Sequence, residues 1–197
     1  MMRPLGNVVA RQMLLDPPQW DDLRVPASAT TIGAANQPAF QKNMDNGAGS
    51  VGLFQRTFAA GARNDVFAEF QIPHQRKIGS DMGLHFHWVP TTNHNGNVLW
   101  ECELAIANID AAFPVTGTTV FQVTTLNAGA RLNQNTHTEL MTVIGSGITL
   151  SAFLLMRLSR LGGDGADTYT GEGIFLGIDL HYQIDTLGSQ TEVTKFF

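Results

Sequence analysis

Charge is the scarcest commodity in this sequence: Asp, Glu, Lys and Arg make up 15% of 197 residues, against about a quarter in ordinary soluble domains. A surface so poor in charge is expected to be covered in part by neighbouring subunits. Basic residues are especially few. Lys42, Lys77 and Lys195 are the only lysines, the remaining basic residues are scattered arginines, and the net charge is −5. No basic stripe is available to neutralise a phosphate backbone, which argues against a nucleic-acid partner. Cysteine is nearly absent. Cys102 stands alone, so an internal disulfide is excluded. Long apolar runs are missing too, none approaching the roughly 18 residues of a membrane-spanning helix. The opening "MMRPLGNVVARQMLLDPP" has neither the apolar stretch nor the cleavage site of a signal peptide. The expectation is a soluble chain with no membrane partner.

What is present falls into two parts. Residues 1–50 carry prolines and small residues without a sustained period and are expected to form an extended N-terminal arm, with a short helix over 8–15. Leu14, Leu15, Trp20, Leu23, Arg24, Val25 and Phe40 are its expected anchors, since a solvated linker would not carry such side chains. From residue 51 the period becomes two. In "MGLHFHWVP" Leu84, Phe86 and Trp88 share one face and His85 and His87 the other; "NVLWECELAIANI" points Cys102 inward and Glu101 and Glu103 outward. In "GIFLGIDLHYQID" Ile174, Leu176, Ile178, Leu180 and Tyr182 oppose Phe175, Asp179 and His181.

Strands are expected near 51–60, 65–73, 81–90, 97–108, 118–126, 136–145, 148–160 and 172–185. Residues 148–160 would also suit a helix face, but alternation and a Thr/Ile-rich start favour a strand. The fold class is therefore all-β: an antiparallel two-sheet sandwich over 51–197, an eight-stranded jelly roll, with a closed barrel or another sandwich as the alternative.

His85 and His87 at i and i+2 project from one strand face, and His181 beside Asp179 is placed to join them. Two readings stay open for this cluster: a metal site, or histidines that hydrogen-bond across strands. Gly79 and the two histidines copy the opening of the cupin metal motif, G-x5-H-x-H, but the glutamate that should follow and the later third-histidine segment are missing. A cupin-like metal-dependent enzyme is accordingly a remote alternative. His94 and His137 have no sequence-local catalytic partner. "GGDGAD" lacks the alternating acids and closing glutamate of a calcium loop. There is no G-x-S-x-G elbow and no phosphate-cradling loop before a helix. No catalytic residue and no cofactor are assigned.

The segments "WDDLRVPASAT", "QIPHQRKIGSDMGLHFHW", "VLWECELAIANIDAAFP" and "DTYTGEGIFLGIDLHYQIDTLGSQTEVTK" resemble, in this order, those of a group of tailed-bacteriophage virion structural proteins. The resemblance spans residues 20–195. It departs at Met82-Gly83-Leu84, where a proline is expected just before the first histidine. It implies a particle component and supplies no activity. Together with low charge and a sandwich core, it leads to the expectation of a homotrimeric capsid-decorating cement subunit bound to the major capsid protein or other virion proteins. A collar, connector or tail component, adhesive toward a host surface, is the alternative. The expected location is the virion, and the host cytoplasm during assembly.

Overall fold

Alternating side chains become antiparallel strands over the residues that the computed structural model describes, 14–116, 118–189, 191 and 195. The strands are β1 (Leu14–Pro26), β2 (Ala39–Met44), β3 (Leu53–Phe58), β4 (Arg63–Gln71), β5 (Met82–Pro90), β6 (Val98–Ala107), β7 (Thr119–Thr125), β8 (Thr136–Val143), β9 (Phe153–Leu161) and β10 (Gly173–Thr186). One sheet runs β2-β3-β10-β5-β8 with β1 also on β10, and the other runs β4-β9-β6-β7. Counted from β3, neighbours in each sheet come alternately from the two ends of the chain, which is the interleaved order of a jelly roll. Every expected strand from residue 51 onward forms. Residues 148–160 resolve as turn followed by β9, not helix.

Hydrogen bonding ties the extended segment over 14–50 into the larger sheet. β1 pairs with β10 from Gln19↔Ile184 to Pro26↔Gly177, and β2 pairs with β3, so sheet structure crosses the expected boundary at residue 50. β1 and β3 lie end to end along one edge of β10. Leu14 and Leu15 open β1 rather than close a helix, their side chains lie outside the described part of the chain, and so do residues 8–13. Pro17 and Pro18 are tolerated because β1 is an edge strand and its register shifts between Leu14 and Gln19.

The core between the sheets centres on aromatic rings meeting edge to face. Trp100 is 4.7 Å from Phe86, 5.1 Å from Trp88 and 5.4 Å from Phe58, the geometry that ring quadrupoles favour. Both indoles are satisfied. Trp88 Nε1 donates to Thr138 Oγ1 at 3.0 Å, Trp100 Nε1 to Thr125 Oγ1 at 3.2 Å, and the two hydroxyls lie 2.8 Å apart, tying β7 to β8. Cys102 points into this core as expected, and burial pushes its thiol up to about 12.

Two features depart from a plain apolar-in, polar-out pattern. A register shift in the β10–β5 ladder between Phe175 and Gly177 re-phases β10, so Phe175 is buried in the core and Leu176 turns toward the outer face. On β9, Arg157 faces out to Glu101 and Glu103 at 3.2 and 2.7 Å, whereas Arg160 is buried. Arg160 is held bidentately by Asp167 and by the carbonyls of Phe58, Tyr169 and Gly171. That use of Asp167 gives the "GGDGAD" segment its job: a loop that closes over a buried guanidinium.

Candidate functional site

β5 is inserted between β10 and β8, and this order builds the site. Leu84, Phe86 and Trp88 take the core side, so His85 and His87 are turned to the outer face of the larger sheet. Cross-strand pairing then adds neighbours row by row. Arg24 on β1 pairs with Asp179 on β10, Asp179 with His85, and His85 with Glu139 on β8. Asp22 pairs with His181, and His87 with His137.

Polar groups converge at the Asp179 carboxylate. Oδ2 lies 3.2 Å from His87 Nε2, 3.6 Å from His85 Nε2 and 3.5 Å from Arg24 Nε. Asp179 and His85 are both buried, while the Arg24 side chain is 68% exposed. On the far side of its ring, His87 Nδ1 is 3.0 Å from Asn135 Oδ1. His85 Nδ1 has no hydrogen-bond partner among the described residues. Burial, and after it the adjacent His181, lower the His85 pKa; Glu139 and Asp179 act in the opposite direction without prevailing. His85 is therefore a neutral imidazole at pH 7 with an available lone pair.

The three histidines expected to cluster do meet as rings, but not as a common donor set. The His85 and His181 rings are 4.3 Å apart, edge to face. His181 Nε2, however, turns to Asp22 Oδ1 at 2.8 Å. Asp179 takes its place: among the described residues, His85, His87 and Asp179 are the group whose ligand atoms all lie within 4.8 Å of one another. Beside them opens a cleft of ≈ 260 Å³ whose lining includes Arg24, Pro26, His87, Asn135, Leu176 and Asp179. Sequence reading missed Asn135, His137 and Glu139, because β8 meets β5 only through a register that no local pattern encodes. Asp179 was visible as the residue two before His181 on the same face.

The expected anchors divide by face. Leu23 and Val25 are half-buried against the chain's own core. Trp20 and Phe40 are exposed, at 61% and 65%. Arg24 belongs to the histidine face.

No family model matches the chain, and no curated protein is similar to it. Among solved structures it is similar to a family 35 carbohydrate-binding module from Clostridium thermocellum, at 10% identity over 80% of this chain and 97% of that one, TM-score 0.41. It is also similar to the enzymatically active domain of tailspike protein 4 of bacteriophage CBA120, at 8% identity over 85% of this chain and 19% of that one, TM-score 0.35. A third is an isomalto-dextranase of Arthrobacter globiformis T6 complexed with panose, at 17% identity over 81% and 23%, TM-score 0.39. These likenesses are distant, and the chemistry of the site rests on its own residues.

Proposed function

We propose that the chain is a structural subunit of a bacteriophage virion, a homotrimeric cement protein that bridges major-capsid subunits. The observation that carries this reading is the β2–β3 hairpin. Phe40, Met44, Val51, Leu53 and Phe54 are 65, 46, 82, 67 and 41% exposed, on a chain in which only 15% of residues are charged. The Phe40 and Phe54 rings meet at 5.8 Å with the Arg56 guanidinium over the Phe40 ring, and among the described residues β2 is the end strand of its sheet. An apolar, aromatic and arginine-bearing patch next to an open strand edge has the composition of a subunit contact. The segment resemblance to phage virion proteins supports the same reading.

The mechanism is mechanical. Contacts that form only on the intact shell add binding free energy to it and oppose rupture, and three linked copies raise the effective concentration of each contact. No catalysis, nucleic acid or membrane enters this reading; the chain passes from host cytoplasm to virion. In sedimentation equilibrium the chain is expected at three times its 21.4 kDa mass, with the double variant Phe40→Ser, Leu53→Ser monomeric and lost from particles. A wild-type monomer at every concentration, with no retention on capsids, would contradict it.

One observation favours a second reading, an adhesive collar, connector or tail component. The exposed indole of Trp20 stands between two shallow clefts, one bordered by Asp81, Thr142 and His181 and the other by Lys77, Ser80 and Gln183. An aromatic face flanked by hydrogen-bonding groups can take up a sugar ring. Glycan binding that is lost in Trp20→Ala, together with a low copy number per particle, would select this alternative.

A further inference from the structure

We propose that His85, His87 and Asp179 bind a divalent transition-metal ion of the zinc class, with a coordination position open to the cleft beside Arg24. The proposal is independent of the virion reading and adds a bound ion where the sequence assigned no cofactor.

Spacing is the first argument. A zinc ion takes imidazole nitrogen and carboxylate oxygen at about 2.0–2.2 Å, which sets adjacent ligand atoms roughly 3.0–3.6 Å apart. Asp179 Oδ2 meets His87 Nε2 and His85 Nε2 at 3.2 and 3.6 Å. The second argument is the state of His87. In the tautomer that donates Nδ1–H to Asn135 Oδ1, 3.0 Å away, Nε2 presents a lone pair to the Asp179 carboxylate oxygen at 3.2 Å. Two lone pairs at that distance repel unless a proton or a cation lies between them. Asn135 is also placed as an outer-shell partner that fixes ring orientation and tautomer.

The third argument is His85, a ring 4% exposed whose Nδ1 is unpartnered among the described residues and whose Nε2 is beyond hydrogen-bond length from Asp179. Coordination through Nε2 gives that nitrogen the partner that Asp179, at 3.6 Å, does not. The surrounding charge is compatible with a cation. Asp179, Glu139 and Asp22 supply three carboxylates on this face, against the single guanidinium of Arg24. Arg24 approaches the same Oδ2, but at 3.5 Å on an exposed side chain, a contact of little strength that an ion can displace. Two imidazoles with one carboxylate favour zinc and its transition-metal neighbours over calcium or magnesium, which prefer all-oxygen shells.

The test uses the full chain, stripped with chelator and titrated with Zn2+ by calorimetry and with Co2+ by visible absorption. One equivalent per chain, a raised melting temperature in Zn2+ and an intense Co2+ ligand-field band are expected. His87→Ala should weaken Zn2+ binding on the order of 100-fold or more. His181→Gln, outside the ligand set, should leave it intact. Arg24→Ala, which removes the competing cation from an exposed position, should tighten it several-fold. Overturning results are an unchanged melting temperature in Zn2+ with Co2+ keeping its aquo spectrum, or His87→Ala binding as tightly as the wild type. If ligand variants misfold, Arg24→Ala and the wild-type Co2+ spectrum still decide: weaker Zn2+ binding in the variant, or an aquo spectrum in the wild type, contradicts the site.

Discussion

Single residues on this scaffold act through partners that the opposite strand supplies. Thr138 is the acceptor for Trp88 Nε1 and contacts Thr125, which serves Trp100. Thr138→Val keeps the shape and strands an indole N–H in the core, so equilibrium urea unfolding should show a loss of about 1–3 kcal/mol. Asp65 illustrates the same dependence with charge. Burial alone would raise its pKa, but hydrogen bonds from Ser159, Asn36 and Arg63 outweigh burial and hold it below the ordinary value; Glu101, bonded by Gln122 and Arg63, is lowered in the same way. The folded chain thus releases these protons more readily than the unfolded chain. Their stabilisation is present above the usual carboxylate range of about 4 to 4.5 and is lost as pH falls through and below it. Urea midpoints measured from neutral to acid pH should decline over that window, less steeply in Asp65→Asn. The shared face of His85 and His87 was legible from parity alone. That Asp179, not His181, completes their donor set was not, because it depends on where each ring turns after β1 has brought Asp22 to His181.

At the scale of elements, β1 and β2 show where local pattern stops short. β1 carries two prolines and pairs on one side only, so it reads as loop although it is a strand of the sheet. β2 does alternate, but with inverted polarity: Phe40, Lys42 and Met44 face solvent, while half-buried Asn43 bonds the Gln41 and Gln55 carbonyls and Thr57 Oγ1. Such a strand has no apolar inner face for a periodicity argument to find, and its exposed outer residues are those proposed above as a subunit contact. β1 has the opposite consequence. Leu23 and Val25 pack on the core, and Gly177 lets β1 approach so closely that an added Cβ would sit 3.0 Å from the Val25 carbonyl oxygen. Removing residues 1–26 should therefore destabilise the sandwich itself by on the order of 3 kcal/mol, seen as an earlier thermal transition. An unchanged transition would return this segment to the status of a detachable arm.

For the whole molecule, eight strands beginning at β3 make the jelly roll, and their alternation was plain because each sheet buries one face against the other. What the pattern could not hold is how the outer faces are used, since contacts there, such as Arg157 with Glu101 and His87 with Asp179, depend on cross-strand register. The apolar hairpin is proposed as a subunit contact and the histidine face as an ion site, on a particle component. Quantitative mass spectrometry of purified phage particles tests membership of the virion shell most directly. The chain is expected at a stoichiometry comparable to the major capsid protein, on the order of hundreds of copies in a symmetric shell; its absence from purified particles would contradict the proposal.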